Sequence, residues 1–405
     1  MKAVTAGRSS WFRPGKWHML ALAFVAENCT VGLIFGSYGT LLPTVERDFG
    51  ITRGTASLPP AIAFLLLGLF STWVGGLLRR YPTRYIMAAG ATINALAAFG
   101  LSLSHHVAFL LFFYALLGFG TSLMGLIAPF TLVSRWFTEG RGRALGILNT
   151  PVGYFVAPML AAYMVQNHGL SAMYGLLSCV FLVILPLMLL IADPRQDAAP
   201  AHRAAAQTSS PRRFLRDPRF WLMAIGVGVL TGGASAFVTH VVPYMTGRGI
   251  PLTTAAWVMS IYGLSGMIGT YLFGLLADAI KPVNALIVLG AAMGTLWMAV
   301  MAVGGLPLLL VPIALLGVCI TSIPAIHGAT VADTFGVAES SRVMGTNYLV
   351  KIPFTFAAAP VVGYLFELTG GYAVPFAGVA ACLVLATGLF VWMRILNGRY
   401  PEPTQ

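Results

Sequence analysis

Long apolar runs separated by short polar breaks extend along the chain from Trp17 onwards. Twelve runs can be distinguished, and each is close to the roughly 20 residues that a helix needs to cross a bilayer. Apolar and polar residues do not alternate within them, so the runs predict helices and not the strands of a membrane barrel. The predicted spans are 17–42, 57–78, 85–104, 107–133, 144–165, 171–192, 219–245, 254–277, 283–304, 307–330, 343–366 and 373–394.

The composition agrees with a chain immersed in lipid. Hydrophobic residues make up 58% of the sequence and charged residues 9%, whereas soluble domains carry roughly 25% charged residues. The first apolar run is too long to be the core of a cleaved signal peptide. We therefore predict an all-α integral membrane protein with twelve transmembrane helices, and the lipid bilayer is its expected surroundings.

The distribution of basic residues predicts the orientation. With the N-terminus in the cytoplasm, twenty of the 24 Lys and Arg residues face that side, Arg47, Arg53 and Arg248 face the other, and Lys351 lies within a span. This asymmetry predicts that both termini are cytoplasmic. The short loops suggest a bacterial inner membrane. The net charge of +12 is spread over loops that face anionic lipid, so no nucleic-acid partner is expected.

Sequence features of the first six spans recur in the second six at a near-constant offset. The matched positions are Gly76 with Gly274, Pro129 with Pro324, and Pro158 with Pro360. They predict two six-helix repeats related by an axis along the membrane normal. The polar stretch from Asp193 to Pro218 separates them, which gives an N-terminal bundle 1–192, a cytoplasmic linker 193–218 and a C-terminal bundle 219–405.

Several segments resemble the major facilitator superfamily along the full chain. Gly274-Leu-Leu-Ala-Asp278 resembles its loop motif, although Arg80 stands where the Asp of the matching loop in the first repeat would be. Arg135-Trp-Phe, Arg141-Gly-Arg-Ala-Leu-Gly-Ile and the segment 351–363 are similar to monocarboxylate and oxalate/formate transporters. The resemblance implies the major facilitator fold and secondary transport of a small organic anion.

Two charged residues lie deep within predicted spans. Glu27 is in span one and Lys351 in span eleven, both near mid-bilayer by helix rise. A charge there costs about 2.5–3.5 kcal/mol, so a functional role is expected. We predict that Lys351 binds a substrate carboxylate and that Glu27 is its resting counter-ion or a proton-coupling site. The alternative is a permanent Glu27–Lys351 ion pair that only fixes helix packing.

The resemblance strengthens the prediction for Lys351 and limits the charge of the substrate. A lysine at this place resembles the anion-binding lysine of oxalate/formate exchangers. Those carriers also have an arginine in span eight, where this chain has Thr270. A single cation suits a monoanion better than a dianion, and the missing arginine also leaves room for a substrate that is not an anion.

Further polar residues are candidates for the same pocket. Asn347 and Tyr348 precede Lys351 by four and three positions, so they share or border its helix face. Weaker substrate-binding candidates are Asn28, Tyr114 and Tyr262. His240 is a proton-coupling candidate near the outer mouth, and His327 near the inner mouth is read as a hydrogen-bonded interfacial residue. Asp278 is expected to anchor the inner gate.

Glycine spacing predicts where helices approach closely. Gly32 and Gly36 in span one, and Gly142 and Gly146 at the start of span five, have the four-residue separation that allows tight contact between membrane helices.

These features predict a monomeric secondary transporter of a small organic anion, a monocarboxylate above all, by proton symport or anion exchange. The chain has no nucleotide-binding loop and no metal-ligand cluster, so neither a cofactor nor a metal is expected. The alternative transport function is proton-coupled efflux of apolar or cationic compounds, favoured if Glu27 meets the substrate. A non-transporting receptor and a membrane enzyme are disfavoured, because the sequence offers neither a signalling domain nor a catalytic motif.

Overall fold

The computed structural model describes residues 15–137, 139–194 and 213–399, and helices make up nearly all of this part of the chain. Most of the linker predicted at 193–218 lies outside the described residues. A 3₁₀ turn at Arg213–Arg216 precedes the second set of helices. The helices are α1 (Lys16–Phe49), α2 (Arg53–Arg80), α3 (Thr83–Ser102), α4 (Val107–Trp136), α5 (141–168), α6 (170–189), α7 (Pro218–Gly247), α8 (Leu252–Ile280), α9 (Pro282–Ala302), α10 (Leu306–Phe335), α11 (Val337–Thr369) and α12 (Ala373–Arg399).

The prediction of twelve spans is confirmed by the described residues. They contain 11 continuous helical segments that are long and apolar enough to cross a membrane, and the longest, Arg141–Leu189, has 49 residues. At 1.5 Å per residue this segment would be far longer than the roughly 30 Å of bilayer hydrocarbon. It breaks at Gly169, where φ is 83° and ψ is 174°, so it forms two spans, α5 and α6.

The first helix is longer than its apolar run, which ends at residue 42. The polar residues Glu46, Arg47 and Asp48 continue α1 to Phe49, and Gly50 ends it in a left-handed conformation with φ 61°. A hydropathy pattern ends with the apolar residues, whereas the helix ends where a residue can adopt the left-handed conformation.

Buried apolar side chains form two separate clusters. One extends from Met19 to Ile191 and is built by α1–α6, and the other extends from Phe214 to Met393 and is built by α7–α12. We call these sets of helices the first half and the second half. Each half buries large aromatic side chains of its own, Tyr114 and Phe181 in the first and Trp297 and Phe390 in the second.

Glycines bring the two halves into contact at mid-depth. Gly263 of α8 packs against the backbone of Tyr154 in α5, and Gly68 of α2 packs against Ile352 of α11. Because glycine has no Cβ, the backbones can approach closely at these points. The α5–α8 and α2–α11 pairs therefore form much of the interface between the halves, together with the α1–α7 pair, where Gly39 packs against the α7 backbone.

The halves close together at one end of the molecule. This closed end holds the α1–α2, α7–α8 and α11–α12 connections, and three hydrogen bonds between described residues join the halves there, from Arg53 to Tyr372, from Gly54 to Glu367, and between Ser57 and His240. At the opposite end, which we call the open end, Gly146 of α5, Gly274 of α8 and Gly345 of α11 have no atom within 4 Å of an added Cβ. No neighbouring atom therefore packs on α5, α8 or α11 at these three positions, toward the end where α1 begins.

Candidate functional site

The Lys351 side chain lies in the interior of the second half beside an aromatic ring. Its Nζ is 3.8 Å from the centroid of the Tyr348 ring, and the residue is only 7% exposed. Tyr348 itself is 41% exposed, so its ring reaches the surface of the helix bundle while the lysine is covered. The three-residue spacing on α11 brings the two side chains together, as the sequence predicts.

Asn347 and His327 extend this group into the protein. Asn347 Nδ2 is 3.2 Å from His327 Nε2, and both residues are fully buried. The His327 ring centroid is 6.4 Å from that of Tyr348. We call His327, Asn347, Tyr348 and Lys351 the lysine cluster. The sequence predicted three of its four members; His327 joins it because α10 packs against α11.

The lysine cluster has no negative charge to balance Lys351. Its ammonium forms no ion pair or hydrogen bond with any residue that the structure describes, apart from the contact with the Tyr348 ring. A charge at mid-bilayer costs about 2.5–3.5 kcal/mol, and a desolvated cation–π contact returns about 2 kcal/mol. A bound anion would supply the missing stabilisation.

Glu27 is the second intramembrane charge, and no ion pair joins it to Lys351. No carboxylate of a described residue lies within 4.0 Å of the lysine nitrogen. Glu27 is partly buried at the end of a regular helical segment, directly before a π-helical stretch at Asn28–Phe35. A second π-helical stretch, Ser122–Leu126 of α4, packs on the first where Gly125 meets Thr30. Such stretches often mark functional positions in helices.

The weaker candidates occupy packing positions in this conformation. The Asn28 amide accepts a 2.7 Å hydrogen bond from the Gly153 backbone N–H and so joins α1 to α5. The Tyr114 hydroxyl is 3.2 Å from that of Tyr174 inside the first half. Tyr262 is 2% exposed and packs against Phe237 in the second half. None of the contacts described here joins Asn28, Tyr114 or Tyr262 to the lysine cluster.

His240 is part of a hydrogen-bonded chain at the closed end. Its Nε2 is 2.8 Å from the Ala359 carbonyl, which can only accept, so Nε2 carries the hydrogen. Nδ1 is then free to accept from the Tyr372 hydroxyl at 3.1 Å. Burial raises the pKa of that hydroxyl, so it remains neutral. Arg53 Nη1 donates to the same oxygen at 3.2 Å.

Arg53 connects this chain to the first half. Its guanidinium binds both carboxylate oxygens of Glu46 at 2.7 and 2.8 Å and lies 4.3 Å from the centroid of the Phe366 ring. We call Glu46, Arg53, Tyr372 and His240 the outer latch. From the sequence, Arg53 is predicted to lie between spans one and two on the side opposite the N-terminus, and this group is not predicted. The opposite charges of Glu46 and Arg53, seven residues apart, were the available signal.

The loop motif Gly274–Asp278 at the open end does not bond to any described residue of the first half through its aspartate. Asp278 is exposed and has no hydrogen bond or ion pair with any described residue. In the first half, where Arg80 replaces the expected Asp, Asp193 takes a comparable place: it accepts from the Thr83 backbone N–H at 2.9 Å and pairs with Arg135 at 3.0 Å.

Comparison with known proteins agrees with this architecture. The family model of the major facilitator superfamily matches residues 28–351. A solved bacterial homolog of the human lysosomal transporter Spinster, in an inward-facing and unoccupied conformation, superposes with a TM-score of 0.79 at 13% identity, covering 97% of this chain and 100% of that one. The likeness to that structure concerns the fold.

Curated relatives include carriers of different kinds. Monocarboxylate transporter 13 of Bos taurus is 24% identical over 385 residues, covering 93% of this chain and 88% of the relative. An agnestins efflux protein of Paecilomyces divaricatus is 23% identical over 403 residues, covering 95% of this chain and 91% of the relative. The family match spans most of the sequence, so the chain belongs to the major facilitator superfamily, a family of membrane transporters.

Proposed function

We propose that this protein is a secondary active transporter of a small organic anion, with a monocarboxylate as the preferred substrate. The observation that carries the proposal is the Lys351 ammonium, which is buried in the membrane interior without a carboxylate partner among the described residues. A substrate carboxylate fits this place because it would balance the positive charge of Lys351 and accept hydrogen bonds from its ammonium group. The relation to monocarboxylate transporters supports the same substrate class.

A monoanion is favoured over a dianion by the number of charges. Among the described spans, Lys351 is the one Lys or Arg in the membrane interior. Thr270 of α8 offers no charge, and its hydroxyl donates to the Thr321 carbonyl at 3.1 Å. A second carboxylate in this interior would lack a cation and would carry the full cost of burial. Tyr348 offers an aromatic face to the apolar part of the substrate.

Transport would proceed by rocking of the two halves around the lysine cluster. In this account the open end is cytoplasmic, both termini lie on that side of a bacterial inner membrane, and the present conformation faces inward. The chain divides into bundles 1–192 and 219–405 joined by the linker 193–218, and it works as a monomer. Movement of anions is driven by proton symport or by exchange for another anion.

Efflux of apolar or cationic compounds is the second candidate function. Glu27 is a partly buried carboxylate that has no ion-pair or hydrogen-bond partner among the described residues. It could meet a cationic compound or carry a proton against which such a compound is exchanged. The relation to the agnestins efflux protein supports this reading.

Ligand-induced stabilisation of the purified protein tests the binding site. Saturation of a site at about 100 times its Kd stabilises a protein by roughly 2.7 kcal/mol, which raises the melting temperature. We expect at least one of formate, acetate and glycolate to raise the melting temperature of the wild type and of Lys16→Gln, the same change at an exposed lysine. The increase should be absent in Lys351→Gln. An equal increase in Lys351→Gln would contradict anion binding at Lys351.

A further inference from the structure

His327 presents an unsatisfied polar atom in the interior of the second half. The side chain is fully buried, and Asn347 Nδ2 is its hydrogen-bond partner through Nε2. Neither His327 Nδ1 nor Asn347 Oδ1 has a partner among the described residues. Buried polar atoms without partners are uncommon because each one costs free energy. The hydrogen bonding of the His327–Asn347 pair is therefore incomplete in this conformation, and a second arrangement of the pair is open to it.

Rotation of the Asn347 amide would convert this pair from one protonation state to the other. With Nδ2 donating, Nε2 accepts and the imidazole is neutral. If the amide turns over, the unpartnered Oδ1 takes the place of Nδ2 and can accept from a protonated Nε2. The same two residues thus hold neutral or protonated imidazole with one hydrogen bond in each case.

Lys351 opposes the protonated state as long as its charge is unbalanced. The ammonium is 3.8 Å and the imidazole 6.4 Å from the centroid of the same Tyr348 ring. Both groups therefore lie beside one ring, and two positive charges placed there in a low-dielectric interior would repel each other. An anion bound to Lys351 would cancel this repulsion, so anion binding and protonation of His327 would each favour the other.

The helices packed around His327 bring no other charge to this pair. The sequence of α9 contains no Asp, Glu, Lys, Arg, His or Tyr. Tyr262 of α8 packs on Phe237, Tyr271 is 68% exposed, and Asp278 is exposed at the helix end. Cys319, a buried thiol, lies eight residues before His327 on α10. The other titratable residues of α7, α10 and α11 lie toward the helix ends: Arg219, His240, Tyr244, Asp333, Glu339, Arg342, Tyr364 and Glu367.

We propose that His327 is the proton-coupling residue, taking up one proton when an anion binds Lys351. This inference rests on the proposed function. The step transfers a proton from hydronium on the open side to Nε2: one O–H bond breaks, one N–H bond forms, water is left behind, and no group is oxidised or reduced. The anion and the proton then cross together, and both are released when the site opens at the other end. Neither Glu27 nor His240 is needed as the proton carrier.

Transport by proteoliposomes under a proton gradient tests this assignment. Labelled formate, acetate and glycolate are first screened by counterflow, which needs anion binding and rocking but no net proton movement. For an acid that the wild type exchanges, the initial uptake rate is then measured with and without an inwardly directed proton gradient. Uptake into protein-free liposomes is subtracted because neutral acids permeate lipid. We expect the gradient to accelerate uptake by the wild type.

His327→Gln should keep counterflow and lose the acceleration by the gradient. His168→Gln, the same change at an exposed histidine outside the lysine cluster and the outer latch, and Glu27→Gln should keep the acceleration. A wild type that exchanges an acid but ignores the gradient would overturn the assignment, as would acceleration retained in His327→Gln. Loss of counterflow in His327→Gln would also overturn it, by making the residue structural or substrate-binding. Failure of the wild type to exchange any acid would instead contradict the proposed function.

Discussion

A lysine that is buried in a membrane interior without a carboxylate beside it is poised to bind an anion. In this protein the aromatic ring of Tyr348 is the contact that holds the Lys351 ammonium. Such a contact is weaker than a charge-assisted hydrogen bond to a carboxylate in the same surroundings. Under the proposed function, a substrate carboxylate would displace the ring contact without first breaking an ion pair, which would not be so if Glu27 were bonded to Lys351.

Backbone contact between glycines determines how closely α1 and α5 pack. A Cβ at Gly32 would lie 2.6 Å from the Cα of Gly153, whereas a Cβ at Gly142 would meet no atom within 4 Å. We expect Gly32→Ala to destabilise the protein by about 1–3 kcal/mol through overpacking. Gly142→Ala should be neutral or stabilising by up to about 1 kcal/mol, because alanine favours a helix.

Thermal unfolding in detergent measures both variants. Equal melting temperatures for Gly32→Ala and the wild type would contradict the tight α1–α5 contact. The four-residue glycine spacing predicted this contact correctly at Gly32 and wrongly at Gly142 and Gly146. Spacing identifies a small-residue face, but only the packing of the helices decides whether another helix covers it.

The members of the lysine cluster differ in how far sequence could predict them. Lys351, Asn347 and Tyr348 are on one helix, so their proximity follows from the helical repeat. The pairing of His327 with Asn347 depends on the packing of two helices, and a single sequence does not contain that information. From the sequence, His327 is predicted to be a hydrogen-bonded interfacial residue. That its Nδ1 has no partner among the described residues follows only from the structure.

At the scale of elements, the outer latch holds α1, α2, α7 and α11 together at the closed end. It combines the two hydrogen bonds of the Glu46–Arg53 ion pair with contacts from Arg53 through Tyr372 to His240. Within the latch, the Arg53–Tyr372 hydrogen bond crosses between the halves, so it must break whenever the closed end opens. The strength of the latch should therefore set the balance between the two conformations of the transporter.

Removal of the Tyr372 hydroxyl tests the latch. We expect Tyr372→Phe to cost the closed state about 0.5–1.5 kcal/mol, since one oxygen bonds both halves, and to raise the population of the state opened at this end by about two- to tenfold. A membrane-impermeant maleimide should then label Ser57→Cys faster in a background without other cysteines, because Ser57 is fully buried here.

Tyr244→Phe is the control for this experiment. It loses the hydrogen bond that Tyr244 donates to the Val300 carbonyl and the one that it accepts from Arg248, both within the second half, so the labelling rate should not change. Equal rates with and without Tyr372→Phe would show that the latch does not hold the closed end.

The elements themselves were largely predictable, and their ends were not. Apolar runs identified every span, because a bilayer demands about 20 apolar residues for each crossing. The continuation of α1 through Glu46 and Asp48 was missed, because it depends on Gly50 as a terminator and not on hydrophobicity. For the same reason Glu46 was not seen as a partner for Arg53.

At the scale of the whole molecule, the asymmetry between the two ends describes one state of a carrier. The halves touch along α1–α7, α2–α11 and α5–α8, and they are hydrogen-bonded at the closed end, whereas Gly146, Gly274 and Gly345 near the open end have no neighbouring atom where a Cβ would lie. Pseudo-symmetric repeats predict that such a molecule exists in two states, but sequence does not say which state is populated. The excess of basic residues remains the argument that the open end is cytoplasmic.

Counterflow in proteoliposomes is the most direct test of an anion site at Lys351 that opens to both sides. The account predicts that the wild type and Lys16→Gln exchange at least one labelled carboxylate from a panel of small mono- and dicarboxylates. Lys351→Gln should exchange it about ten- to a hundredfold more slowly, as expected for loss of a charged hydrogen bond. Equal exchange by Lys351→Gln, or no exchange of any acid by folded wild type, would contradict the account, and the second result would favour efflux, with Glu27 as the next residue to test.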